Sequence, residues 1–267
     1  MKVLIVNADD FGRSRGINAG VMRAHREGIV TATTLMANGP EAAEAGRLAR
    51  ADPSLDVGVH LVVTYGRPLV DPGTVRSLVD AEGRFPRRPE AVVGMARADA
   101  DEALREFRAQ YDRVRALVGR EPTHLDSHHW AHDEPALERA IAALGRETGA
   151  AVRPHDDAQR DRLRAAGART VDRYRRDFQH PGHIDLASLE RIFETIGEGA
   201  TELGCHPGEP DAELAATSAY AAPRADELTT LTDPRARAAL QARGIVLATY
   251  ADVGSSAGRR APSGEAR

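Results

Sequence analysis

The chain has 267 residues, 42% of them hydrophobic and 28% charged, a size and balance that suit one large α/β domain or two small ones. A formal net charge of −4 offers no basic field for nucleic acid. The single cysteine, Cys205, excludes an internal disulfide and a cysteine zinc cluster. Lys2 is the only lysine, which excludes a Schiff-base lysine on an inner strand and a Gly-Lys-Ser/Thr phosphate loop. No apolar run approaches membrane-spanning length and no signal-peptide succession opens the chain, so the expected location is the cytoplasm.

The aliphatic run Val3-Leu4-Ile5-Val6 predicts a first strand buried on both faces. It ends in two adjacent carboxylates, Asp9 and Asp10, and acids at a buried strand tip need cations, donors or a metal. Residues 16–27 predict a helix with Ile17, Val21 and Ala24 on one face and Gly28 as its cap. The β-branched run 29–36 predicts a second strand, which Asn38-Gly39-Pro40 breaks before a short helix over 41–50. Residues 56–61 predict a third strand, and residues 64–89, rich in Gly, Pro and Arg, a long loop. A helix follows over 100–118, with Leu104, Phe107, Tyr111, Val114 and Val118 on one face and Gly119 at its end. A short strand is expected over 123–127, and Asp133 is expected to cap a helix running towards Gly149. Further expectations are a strand at 151–153, a helix over 158–168, and a helix capped by Asp185. A strand over 201–206, a helix from Asp233-Pro234 to Gly244 and a strand over 245–250 follow. Residues 254–267 lack periodicity and read as a disordered tail, leaving 1–253 as one domain. This alternation implies a parallel sheet with helical crossovers, either open or closed into a barrel.

The out-of-place polar residues fall at the carboxyl ends of these apolar strands. They are Asp9 and Asp10 on the first, His60 on the third, His128 after the fourth, Arg153 on the fifth and His206 on the next. In α/β barrels that end carries the active site. His124, Asp126 and His128 share one face if the strand runs through them. Two imidazoles and one carboxylate make a metal site with an open position for water or substrate. Cys205 and His206 are neighbours on a strand and point to opposite faces, so a thiol–imidazole dyad is excluded. His-Pro-Gly occurs at His180 and at His206, and only the second follows an apolar strand. His25, His155 and His183 are read as surface groups.

Five stretches, in order, resemble the YdjC-like carbohydrate deacetylases: Leu4-Ile5-Val6-Asn7-Ala8-Asp9-Asp10-Phe11-Gly12, Gly28-Ile29-Val30-Thr31-Ala32-Thr33-Thr34, Gly58-Val59-His60-Leu61, Thr123-His124-Leu125-Asp126-Ser127-His128-His129 and Cys205-His206-Pro207-Gly208. The resemblance implies an α/β fold of one domain, an irregular (β/α) barrel similar to NodB-type deacetylases. It also implies one divalent cation, Mg2+ or Zn2+, and removal of acetyl groups from N-acetylated amino sugars. By motif, Asp10, His60 and His128 would be the ligands and Asp9 the base. One departure is Trp130, which stands where many relatives carry a third consecutive histidine.

On that reading Asp9 takes a proton from the attacking water and His206 protonates the departing amine, which is too poor a leaving group to go as an anion. Arg153, Trp130 and Asp126 are expected to contact the sugar, with Trp130 either stacking on a sugar face or serving as a packed indole. A saccharide substrate, no nucleic acid and no membrane span are expected, with a homodimer left open. Two readings compete: a metal-dependent phosphoesterase on a similar barrel, and a non-catalytic sugar-binding protein stabilised by metal.

Overall fold

The computed structural model describes residues 1–87, 97–218 and 220–254. The expected tail therefore lies outside the described residues from 255 onward, as does the end of the predicted 64–89 loop. Strands and helices alternate along the chain. They run β1 (Lys2–Phe11), α1 (Arg15–Glu27), β2 (Ala32–Leu35), α2 (Ala42–Ala51), β3 (Asp56–Leu61), α3 (Ala100–Val118), β4 (His124–Ser127), α4 (Pro135–Thr148), β5 (Ala151–Val152), α5 (Asp157–Ala165), β6 (Arg173–Arg175), α6 (Leu186–Glu194), β7 (Gly199–Cys205), α7 (Ala212–Thr217), α8 (Ala222–Leu231), α9 (Pro234–Ala242), β8 (Ile245–Leu247) and α10 (Tyr250–Gly254).

All pairings between the described strands are parallel, in the order β5-β4-β3-β2-β1-β7-β6, with β8 beside the first residues of β1. Four strand spacings separate β5 from β1, about 19 Å in a flat sheet. Yet Arg153, directly after β5, reaches Asp9 on β1 at 2.7 Å and Glu202 on β7 at 2.7 Å. The sheet must curl on itself to allow this, and the result is the expected α/β barrel. A backbone bridge from Ala151 to Arg169 helps draw the far edge in.

Alternation along β1 sorts its side chains. Leu4, Val6 and Ala8 enter the core between sheet and helices. Ile5 faces the barrel interior, where it joins Ala32, Ala151, Val171, Ala200 and Tyr250 in a separate cluster. Asn7 and Asp9 continue that inner face upward. Inner polar side chains are thus stacked on an apolar floor, at the carboxyl ends of the strands.

Local signals account for most elements. Ser14 caps α1 by accepting from the Ile17 N–H, Asp99 caps α3, and Gly119 ends α3 at a φ of 72°. Several expectations change. Asp133 does not cap α4; Glu134 holds that position without a side-chain bond, and Asp133 binds His155 instead. The described part of the predicted loop, residues 64–87, is tied down at Leu69 and Val70, whose N–H groups donate to the buried carboxylate of Glu106. Tyr250 does not end the last strand but starts a short helix. His155 is not a surface group, for its side chain is only 3% exposed. Among the described residues, no helix is long and apolar enough to cross a membrane.

Candidate active site

Two neighbouring strand residues ordinarily face opposite ways, so Asp9 and Asp10 need a special backbone to meet. A bulge provides it: β1 pairs Ala8 with Thr33 but Phe11 with Leu35, one residue more than its partner. Asp10 takes up the slack at a φ of 70°, a conformation that aspartate tolerates better than most residues. Asp9 stays on the inner face while Asp10 turns towards His60 and His128. Beside them, Gly58 leaves room for His124, because a Cβ there would lie 2.5 Å from the His124 carbonyl oxygen.

Three donor atoms converge. Asp10 Oδ1 lies 3.3 Å from His60 Nε2 and 3.0 Å from His128 Nδ1, and the two imidazole nitrogens are 3.2 Å apart. Asp10 Oδ1 is buried without a hydrogen-bond partner. Asp126 Oδ1 accepts from His60 Nδ1 at 2.7 Å, which fixes the ring and leaves the Nε2 lone pair facing the cluster. Burial pushes His60 down, but Asp126, Asp10 and Asp9 outweigh it and lift it to about 10. The surroundings therefore demand positive charge at that nitrogen. A divalent cation fits the donor set and would meet that demand as well as a proton.

Asp9 is held differently. Arg153 grips it with two parallel bonds, Nη1 to Oδ2 at 2.8 Å and Nη2 to Oδ1 at 2.7 Å, and Asn7 donates to Oδ1 at 2.8 Å. Burial would raise this carboxyl, yet Arg153, helped by His60 and His206, keeps it well below the usual carboxylate range. Asp10 is likewise depressed against burial, by Arg224 and His128. A second close set of donors, Asp9, His60 and Asp126, already has its cation. The Arg153 guanidinium lies 2.7 Å from Asp126 Oδ2 as well as on Asp9.

His206 follows β7, with Nε2 3.9 Å from Asp9 Oδ2 and Nδ1 3.9 Å from Glu227 Oε1. Burial, reinforced by Arg224, pushes His206 down to about 4. Glu227 accepts from the His206 backbone N–H and from Tyr220 Oη, and burial lifts it to about 7. Both groups are thus neutral in mildly acidic solution. Cys205 is buried with its thiol on the Asn7 carbonyl, away from His206, and burial raises it well above the ordinary thiol value.

All the expected site residues lie at one end of the barrel, but not all in the expected places. Asp126 and Arg153, expected among the sugar contacts, are 0% and 1% exposed. They lie beneath the donor cluster, where their capacity is spent on His60, Asp9, Glu202 and the Thr34 hydroxyl. Trp130 does sit at the rim. His129 and Trp130 both adopt left-handed backbone, at φ of 58° and 55°, and the Arg176 guanidinium covers the indole at 4.8 Å. His128 lies past the end of β4, so only His124 and Asp126 share the inner face of that strand.

Several residues escaped the sequence. Arg224 Nη2 binds Asp10 Oδ2, leaving Oδ1 to the two histidines. Thr34, Asn7 and Glu202 complete the buried network. Glu202 left a visible trace, a lone charge within Ala-Thr-Glu-Leu-Gly-Cys. Arg224 and Glu227 left none, because they sit on a helix with no apolar periodicity strong enough to predict it.

Comparison with known proteins agrees along most of the chain. A family model described as YdjC-like protein matches residues 3–242. A carbohydrate deacetylase of Geobacillus stearothermophilus is 43% identical over 247 residues, covering 92% of this chain and 96% of that protein. A chitooligosaccharide deacetylase of Serratia marcescens is 37% identical over 259 residues, covering 94% and 99%. Among solved structures, an Enterococcus faecalis protein provisionally assigned to cellobiose-phosphate cleavage superposes with a TM-score of 0.87 at 32% identity, over 94% of this chain and 98% of that one. A family 4 carbohydrate esterase from Streptomyces lividans shares the fold at a TM-score of 0.50 and 13% identity, over 93% and 92%.

Proposed function

Because the chain belongs to the YdjC-like family it is a carbohydrate deacetylase, and we propose that it hydrolyses the acetamide of an N-acetylated amino sugar at one divalent ion held by Asp10, His60 and His128. The observation that carries this reading is the convergence of three ligand atoms beside a second, separately held carboxylate. The ion would polarise the acetyl carbonyl and acidify the attacking water. Two imidazoles with one carboxylate suit zinc or another transition ion better than magnesium, which favours oxygen ligands.

Asp9 is the proposed base. Arg153 and Asn7 hold its carboxylate in one orientation, and its depressed pKa keeps it ionised at neutral pH. The same depression makes a proton on Asp9 easy to pass on. His206, neutral at rest, lies 3.9 Å away and is the more basic of the two. The proton taken from water thus moves from Asp9 to His206 and then to the departing nitrogen. Water gives its hydroxyl to the acyl carbon and one proton to the amine nitrogen, so acetic acid and the free amino sugar balance the reaction, and the acid's proton passes to the amine or to solvent to leave acetate.

A phosphoesterase with paired metals fits less well, since the donor set that a second ion would use already surrounds the Arg153 guanidinium. Metal analysis of purified variants tests the assignment. His60→Ala, His128→Ala and Asp10→Asn should each lose most bound metal, while Asp9→Asn keeps it and loses turnover by roughly a hundredfold or more. Metal retained in both histidine variants, or lost in Asp9→Asn and kept in Asp10→Asn, would contradict the roles.

A further inference from the structure

We infer that Tyr250, at the floor of the barrel, is a positioning residue for the proposed base Asp9. The inference rests on the reading of Asp9 given above. Tyr250 opens α10 just after β8, 241 positions from Asp9 in sequence and beyond residue 242, where the match to the family model stops. Its backbone N–H donates to Asp56 Oδ2 at 2.8 Å, which ties the helix start to the beginning of β3. The side chain then rises into the barrel from below, 2% exposed, among Ile5, Ala32, Ala151, Val171 and Ala200.

Two arms lead from that ring to one carboxylate. In the first, Tyr250 Oη donates to Glu202 Oε2, and Glu202 Oε1 accepts from Arg153 Nε at 2.7 Å. Arg153 Nη1 and Nη2 then grip Asp9. In the second, the Tyr250 ring stacks on the His124 imidazole at a centroid distance of 4.0 Å and an interplanar angle of 7°. His124 Nε2 donates to Asn7 Oδ1 at 2.9 Å, and the Asn7 amide donates to Asp9 Oδ1 at 2.8 Å. Arg153 and Asn7, the two side chains that hold Asp9, are therefore each oriented by a partner that touches Tyr250.

The chemistry explains why a phenol is suited to this place. Glu202 is 0% exposed and carries one oxygen towards Arg153 and one away from it. Without a donor for the second oxygen, a buried carboxylate is costly and turns or takes up a proton. Either response releases the Nε side of Arg153, and the planar fork on Asp9 loses its fixed angle. A residue acting this way changes the rate of the step that Asp9 carries out. It leaves substrate affinity unchanged, and it touches the metal donors only through Asp126, whose bonds to His60 and the Thr34 hydroxyl remain in place.

The test uses the full-length enzyme loaded with metal and N,N′-diacetylchitobiose as the probe. Tyr250→Phe keeps the ring on His124 and deletes only the hydroxyl. It should lower kcat about tenfold, the lower end of what losing a supporting hydrogen bond does at such sites, with KM and metal per chain unchanged. In an Asp9→Asn background the same change should cost nothing further, because groups acting through one residue are not additive. Glu202→Gln, which breaks the link from the other side, should behave likewise and serves if the tyrosine variant does not fold. A wild-type kcat in Tyr250→Phe, or losses that multiply with Asp9→Asn, overturns the inference. Full activity of Asp9→Asn alone overturns the assignment of the base itself, a separate result.

Discussion

Glu227 offers a direct measure of how the barrel rim treats charge. Its carboxyl is 0% exposed, beside His206 and Tyr220. Burial lifts it from the ordinary 4.5 to about 7, against the pull of its donors and Arg224. A carboxyl with a raised folded pKa contributes stability that is fully present below pH 4.5 and is lost as pH rises through about 7. At about 1.4 kcal/mol per pH unit, the penalty above that window reaches about 3 kcal/mol. Glu227→Gln keeps the shape and an acceptor oxygen but never ionises. Urea unfolding of both proteins, stripped of metal by chelator so that metal uptake does not vary with pH, should give the difference at pH 4.5, 6 and 8. Wild type should lose about 3 kcal/mol relative to Glu227→Gln across that range. A difference that stays flat with pH would refute the reasoning, since it would mean that Glu227 titrates alike in the folded and unfolded chain.

His206→Ala should keep its metal and lose about a hundredfold or more in acetate release from an N-acetyl sugar, the scale of a missing acid–base group. An N-acetyl aniline with a stable leaving group should recover part of that rate, and full activity on the sugar amide would remove His206 from the proton path. Gly58→Ala places a Cβ 2.5 Å from the His124 carbonyl oxygen and 2.7 Å from its ring. Denaturant unfolding should report a loss of roughly 1–3 kcal/mol, the usual cost of overpacking a tight core, and unchanged stability would show that β3 and β4 part easily.

The strand tips were readable because a charge or imidazole closing an aliphatic run is costly to bury unless a ligand or a partner meets it there. That logic places Asp9, Asp10, His60, His128 and His206 together at one end of the barrel. It did not reach the bulge at Asp10, since a left-handed aspartate looks in sequence like any other. It also misjudged depth. Arg153 and Asp126 were legible as polar residues on inner strands, but whether such a residue meets substrate or lies beneath it depends on the curl of the sheet, which brings β5 against β1 and β7. β6 went unseen because Arg-Tyr-Arg shows no apolar run, although Tyr174 packs inward against the Arg153 guanidinium at 4.7 Å. His155 read as a surface group because its partners, Asp133 and His132, come from a turn whose path no pattern announces.

Acetate release is the measurement closest to the central claim. The purified protein, incubated with N-acetylated saccharides beginning with N,N′-diacetylchitobiose, should free one acetate for each new amino group. Chelator should abolish that release, and added zinc or another divalent ion should restore it. Release that persists undiminished after complete metal removal, or acetate absent from every N-acetylated sugar while phosphate esters are cleaved, would contradict the account.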